Sequence, residues 1–434
     1  MVNIKETCKT KARGFVTDPK QLVRYVVLLI CCVVVIFQLS ECFTKLYRPP
    51  ITTHSHFDLN ESVSYPAITF CRDPPYKEDV LRSYNLSYHP RFSNSWRNFD
   101  FNSVDLDDLF ENATYGKSEF FGQYGLDGLA DNVAIVSGIY FNFGQCHTMT
   151  PKVTTRRSWK NHGYSLILTH TMEATEETTG ENVPGWHVFI HEPKENFTET
   201  NMETSGRVEY MYIKSGEEVE VKITASHFNM KSGRDRSCTD DIHHSAIRCA
   251  DICQWTKITE PIGCSGPWMA AVDLPYCNNF TDMRSLLTSY QTLADINISE
   301  CGCADPCKSV IYSAYVMNRG KFEKQAVPSS QVWLYYTSKM VTVFEERPNY
   351  DLAQFVADMG GSLGFLLGLS VLGLIKILEK IVSLIFGNYI KKHQEKAEQA
   401  KLDKKQQSTK KECDLSSTST LELPAKLLPN KHNI

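Results

Sequence analysis

Long hydrophobic runs are scarce in this sequence. Of its 434 residues 42% are apolar, and the mean hydropathy is -0.30, so most of the chain faces water and a multi-span transporter is excluded. No internal repeat is evident, so the fold is not an array of like units. A nucleophile with base and acid partners is also missing. One stretch, GGSLG within DMGGSLGFLLGLSVL (residues 358–372), fits the G-x-S-x-G pattern of a hydrolase elbow. The elbow needs a strand before the serine, a soluble helix after it, and His and Asp partners. Neither flank of Ser362 offers this, so no enzyme, catalytic residue or cofactor is expected.

Two apolar windows stand out. The first covers residues 25–39 (YVVLLICCVVVIFQL) and extends from Leu22 to Leu46; the second covers 359–375 and continues to Ile390. A spanning helix needs roughly 20 mainly apolar residues, and both windows meet that. The first reads as a span in preference to a signal peptide, because it meets ECFTKLYRPP with no A-x-A cleavage pattern. The formal charge is only -4, but its distribution is informative. Lys5, Lys9, Lys11, Arg13, Lys20 and Arg24 precede the first window, and KKHQEKAEQAKLDKK follows the second. The positive-inside rule then puts both termini in the cytoplasm and residues 47–350 outside.

The central piece carries the marks of an extracellular domain. Asn-X-Ser/Thr sequons begin at Asn60, Asn85, Asn112, Asn196, Asn279 and Asn297, and none lies elsewhere. Ten of the 15 cysteines also lie there: Cys71, Cys146, Cys238, Cys249, Cys253, Cys264, Cys277, Cys301, Cys303 and Cys307. In an oxidising compartment that set reads as disulfides; in the cytosol the C-x3-C and C-x-C-x3-C spacings would suggest zinc, and between two spans no metal is expected. Cys8, Cys31, Cys32, Cys42 and Cys413 are expected as free thiols.

Residues 47–144 read as mixed and loop-rich, with strand-like VSYPAITFC and VSGIYFNF. GYSLILT, GWHVFIH, RVEYMYI and EVEVKITAS read as strands of one central sheet. TDDIHHSAIRCADIC and NNFTDMRSLLTSYQTLADI read as helices, with Asn279 or Thr281 capping the second. VWLYYTSKMVTVFEERPNY reads as a final strand. These boundaries give a cytoplasmic N-terminus (1–21), a first span (22–46), an ectodomain (47–350), a second span with pore (351–390) and a disordered cytoplasmic tail (391–434). The ectodomain divides into a sheet-rich part (47–237), a helical disulfide-rich part (238–307) and a return strand (308–350).

Gly360, Gly364 and Gly368 recur every fourth residue of the second window, with Gly361 beside them. Each interior glycine costs a helix about 1 kcal/mol relative to alanine. Small residues at that spacing let helices approach closely, and glycine lets backbone carbonyls line a water-filled path. The window also holds Lys376, Glu379 and Lys380, and ionisable groups in a span face an aqueous path or a partner. A broken helix lining a pore accounts for both features better than a simple dimer seam.

Five ordered motifs, YPAITFC, GQCHTM, GWHVFIH, CGCADPC and ADMGGSLGFLLGLSVL, resemble the degenerin and epithelial sodium channel superfamily, and within it the insect pickpocket-like branch. The resemblance covers most of the chain. It implies a membrane protein with two transmembrane helices and a large disulfide-rich α+β extracellular domain, hand-like and assembled as a trimer. By position, Gly368, Leu369 and Ser370 correspond to the selectivity filter, Gly364 to the blocker contact, and Ala357 to the degenerin gating position. Gly360 and Gly361 correspond to pore packing, and Gly14 to the glycine of a cytoplasmic gating motif whose histidine is here Arg13. The resemblance pairs Cys71 with Cys146, Cys238 with Cys307, Cys249 with Cys303, Cys253 with Cys301 and Cys264 with Cys277. Lys376 stands where relatives often carry an acid on the inner pore, with Glu379 one turn on. Paired acid-sensing carboxylates have no clear match, and His54 and His56 read as surface residues.

The implied function is a plasma-membrane, amiloride-sensitive, sodium-selective channel subunit with a sensory role. Its partners are Na+, amiloride-type blockers, membrane lipid and two like or related subunits, with no nucleic acid. An ATP-gated trimer shares the two spans and cysteine number but not the motif order. A non-conducting accessory subunit or two-span receptor is the alternative, and it leaves the glycine ladder without a purpose.

Overall fold

The structure, a computed structural model, describes residues 19–87, 89–174, 183–200, 206–233, 237–291, 298–322, 326–367, 375–376 and 380. It divides into two compact units, one formed by the two ends of the chain, up to Pro50 and from Asn349, and one formed by Ile51–Pro348.

The terminal unit contains helix Pro19–Tyr47 and helix Leu352–Leu367. Within the first, residues Leu29–Tyr47 have a mean hydropathy of 1.9, and that stretch is long and apolar enough to cross a membrane. Leu29, Ile36 and Phe37 are 66%, 67% and 72% exposed. Burying such side chains is worth roughly 1.5–3 kcal/mol each, so this outward face requires an apolar medium.

Among the described residues the central unit contains 14 strands. In chain order they are β1 (Ile51–Leu59), β2 (Ala67–Asp73), β3 (Phe121–Leu126), β4 (Val133–Tyr140), β5 (Gly144–Pro151), β6 (Tyr164–Thr169) and β7 (Gly185–His191). There follow β8 (Glu209–Lys214), β9 (Glu217–Asn229), β10 (Cys238–Thr239), β11 (Asp305–Pro306), β12 (Lys308–Lys321), β13 (Ser329–Tyr335) and β14 (Met340–Pro348). A seven-stranded sheet runs β1-β14-β9-β13-β6-β3, with β12 also on β9; a five-stranded sheet runs β4-β5-β2-β7-β8; β10 and β11 form a parallel pair.

Alternation builds the larger sheet: Val219, Val221, Ile223 and Ala225 of β9 point inward at every second position. The middle strands of the smaller sheet have no such alternation. Every residue of β2 from Ala67 to Arg72 is buried, and β7 is buried except at His187. One hydrophobic core draws on both sheets, from Ile68, Phe70 and Trp186 to Val221, Leu166 and Val332.

A second core is helical. Helix Leu106–Ala113 starts at Asp105, whose Oδ1 accepts the Asp107 N–H at 2.9 Å, and buries Leu106, Leu109, Phe110 and Ala113 on one face. These pack with Met283, Leu286 and Leu287 of helix Phe280–Gln291 and Trp255 and Ile258 of helix Ala246–Thr259.

Three expectations are corrected by this architecture. GYSLILT and EVEVKITAS do lie in one sheet as β6 and β9, but GWHVFIH and RVEYMYI lie in the other as β7 and β8. Alternation reports that a strand has a buried face, not which neighbour it pairs with. The final strand is two, β13 and β14, which both pair with β9 and have β6 and β1 respectively on their other edges. The stretch read as loop-rich contains helix Glu78–Ser83 and helix Leu106–Ala113, the second carrying a complete apolar stripe that the reading passed over.

Candidate functional site

Helix Leu352–Leu367 runs straight through Ser362, so no strand-to-helix elbow exists and the serine has no geometry for nucleophilic attack. Ala357, Gly360 and Gly361 are exposed, while Ser362 and Gly364 are half-buried. A Cβ built on Gly360 or Gly361 meets no heavy atom within 4 Å among the described residues. Contacts with the described residues therefore do not require glycine at either position, although each costs the helix about 1 kcal/mol.

The other face of this helix is occupied. Phe355 is buried with Cys42 and Tyr350, with Leu46 and Met359 packed alongside, and its ring lies 5.0 Å from that of Phe43. The two apolar helices are thus joined through Phe355, a contact that the sequence reading missed. Its only signal was the aromatic placed one helical turn before the glycines. Lys376 is helical and exposed. Gly14, Gly368, Leu369, Ser370 and Glu379 lie outside the described residues, as does Asn297.

The strands continuing both helices pair with each other. β1 and β14 are antiparallel over nine positions, from Ile51 opposite Pro348 to Leu59 opposite Met340. His54 and His56 lie on β1 and are exposed; His54 Nε2 is 3.3 Å from Thr52 Oγ1 and His56 Nε2 is 3.6 Å from Asp58.

Five disulfides hold the central unit: Cys71–Cys146, Cys238–Cys307, Cys249–Cys303, Cys253–Cys301 and Cys264–Cys277. The C-x3-C spacing has a plain cause. Residues four apart share a helix face, so Cys249 and Cys253 of helix Ala246–Thr259 both face the C-x-C segment. Among the described residues no group of three or more His, Cys, Asp or Glu is arranged to hold a metal. Asn85, Asn112, Asn196 and Asn279 are exposed and Asn60 is half-buried.

Buried carboxylates tie the sheets to the helices. Glu195 is 3% exposed and accepts Ser245 Oγ at 2.5 Å and Arg207 Nη1 at 3.2 Å, while Arg207 Nη2 reaches Asp305 at 2.7 Å. Glu199 accepts Tyr290 OH at 2.8 Å and the Asn142 N–H at 3.0 Å, and burial raises its pKa. Asp251 accepts Thr200 Oγ1 at 2.6 Å, and burial pushes its carboxyl up to about 6. His170 and His191 go the other way, down to about 4, because burial disfavours the imidazolium.

Comparison with known proteins places these features. Residues 11–379 match the family described as amiloride-sensitive sodium channel. The degenerin-like protein unc-105 of Caenorhabditis elegans is 23% identical over 283 residues, covering 55% of this chain and 31% of that protein. Degenerin del-1 of the same organism is 22% identical over 296 residues, covering 61% of this chain and 44% of that one. The chain thus spans less than half the length of either relative. The cryo-EM structure of a proton-activated chloride channel aligns over 83% of this chain and 96% of its own at 9% identity, and its TM-score of 0.32 is too low to carry an argument.

Proposed function

The chain belongs to the amiloride-sensitive sodium channel family, and from that membership we propose that it is a cation-channel subunit whose pore is formed by second helices from three copies. The observation that carries this reading is the pair of glycines without neighbours among the described residues: Gly360 and Gly361 lie open on the helix opposite the Phe355 contact. A face kept free of side chains at the cost of helix stability suits helices meeting near an axis.

Three such helices bring backbone close to the axis at Gly364 and, one turn further, at Gly368, Leu369 and Ser370. There, carbonyl and hydroxyl oxygens would replace the water around Na+. Gly364 is the position for an amiloride-type blocker just outside this filter. Ala357 is the gating position, where a larger side chain keeps neighbouring helices apart and the pore open. Gly14 belongs to the cytoplasmic gating segment. The pairing of β1 with β14 supports a gating role for the central unit, because any shift between these strands acts on the chain entering both helices. On this reading the termini are cytoplasmic, the central unit is extracellular and glycosylated at its six sequons, and the protein serves the plasma membrane of a sensory cell in the pickpocket-like manner.

A second reading, a non-conducting accessory subunit, is favoured by Lys376. An exposed cation beyond the filter opposes cation flow unless Glu379 or a related subunit neutralises it. Both readings are tested by recording sodium current from cells expressing Ala357→Val, alone and with a related subunit. Amiloride-blocked current from the variant alone supports a self-sufficient pore. Current only in the mixture supports an obligate heteromer, and silence in both with protein at the surface contradicts the channel reading.

A further inference from the structure

The loop between β5 and β6 has three features that folding does not explain. Residues 151–163 (PKVTTRRSWKNHG) include Lys152, Arg156, Arg157 and Lys160 and no carboxylate. Lys152, Arg156 and Arg157 are exposed, and among the described residues no hydrogen bond or ion pair reaches either guanidinium. Trp159 is 61% exposed and has a φ of 137°. That conformation is costly for a bulky residue, and here burial of the indole does not compensate for it.

The loop is nonetheless fixed in place. Val63 and Thr155 exchange backbone hydrogen bonds at 2.9 and 3.0 Å, and Thr155 Oγ1 donates to the Arg157 carbonyl at 3.2 Å. Lys160 Nζ reaches Glu220 at 2.6 Å and lies over the Trp333 ring, and His162 Nδ1 is 2.5 Å from Asp127. Glu220 and Asp127 are thus paired to Lys160 and His162, while Glu61 and Asp131 stand on the segments bonded to the loop's first half. Arg156 and Arg157 carry charge without a partner among the described residues, close in sequence to Trp159, which is 61% exposed and has its ring 6.4 Å from that of Tyr335.

We propose that this loop is a docking site for a sulfated glycosaminoglycan chain. Each guanidinium fork matches a sulfate group in bidentate fashion, and the Trp159 face suits the apolar C–H surface of a sugar ring. Short basic stretches of this kind serve polyanions, and an acidic peptide would use the arginines but has less need of the aromatic face. The proposal rests on the extracellular placement of the central unit, but its test reads binding and not current, so the two fail separately.

The test is surface plasmon resonance of the full chain in lipid nanodiscs over immobilised heparin, with desulfated heparin and polyglutamate as competitors. Wild type should bind in a salt-dependent way and be displaced by heparin alone. The pair Arg156→Ala with Arg157→Ala should lose roughly tenfold or more in affinity, since two ionic contacts and their released counterions disappear. Trp159→Ala should weaken binding without changing the salt slope, and Lys194→Ala, elsewhere on the surface, should bind as wild type. Should the alanine pair fail to reach the membrane, Arg156→Gln with Arg157→Gln replaces it. Absence of wild-type binding, unchanged binding by the arginine variants, or equal displacement by polyglutamate would overturn the assignment.

Discussion

Asn279 illustrates how much one side chain can do. Its Oδ1 accepts the Asp282 N–H at 2.9 Å, capping helix Phe280–Gln291, while the same residue begins a sequon. Asn279→Ala removes both features and Thr281→Ala removes only the sequon. Thermal unfolding should show Asn279→Ala less stable than Thr281→Ala by about 1 kcal/mol, and equal stabilities would show that the cap contributes nothing. Asp251 gives a pH-dependent case. Burial raises its pKa from the ordinary 3.8 to about 6, so the folded state binds the proton first, and the charged form weighs against folding above pH 6. Asp251→Asn keeps an acceptor for Thr200 and should stabilise the protein at pH 7.5 by on the order of 1–3 kcal/mol. That gain should shrink as pH falls from 6 towards 3.8, where wild type recovers the same neutral form. A destabilised Asp251→Asn at pH 7.5 would contradict this account. His191, lowered to about 4, has the opposite sign: its contribution is present above pH 6.5 and is lost as pH falls towards 4.

At the scale of elements, cysteine spacing was the most legible signal. Two cysteines four residues apart define one helix face, but their partners came from the family resemblance, because spacing alone does not pair Cys249 with Cys303 and Cys253 with Cys301. The Cys264–Cys277 bridge closes a separation of 13 residues, whereas the two bridges to helix Ala246–Thr259 close 54 and 48. Loop-closure entropy assigns the short bridge about 3 kcal/mol and each long one about 4. Serine replacement of Cys264 and Cys277 should therefore leave folded protein at the cell surface at reduced stability. Replacement of all four helix-bridge cysteines should abolish surface delivery, as read by surface biotinylation; normal delivery would contradict the nested arrangement. Strand partners were far less legible. β6 and β7 both read as apolar runs bounded by turns, yet they belong to different sheets, because pairing is settled by long-range register that no local pattern records. Helix Leu106–Ala113 was legible in principle, since Asp105 and the stripe Leu106, Leu109, Phe110 and Ala113 satisfy both start and periodicity rules.

At the scale of the molecule, two apolar windows on either side of a cysteine-rich domain were legible in the sequence, and the family match over residues 11–379 is in keeping with two spans and a large extracellular domain. What the sequence could not convey was the second helix's division of labour. Phe355 packs towards the first helix, and Gly360 and Gly361 meet no side chain among the described residues. No local pattern records that difference between the two faces, and the proposed shared pore depends on it. The direct test is oxidative cross-linking in native membranes of Gly361→Cys, in a background where Cys8, Cys31, Cys32, Cys42 and Cys413 are serine. The account predicts disulfide-linked copies on a non-reducing gel, abolished by reductant and absent when cysteine replaces Phe355 instead. Monomer alone from Gly361→Cys, with the protein at the surface, would show that copies do not meet along this face and would contradict the proposed pore.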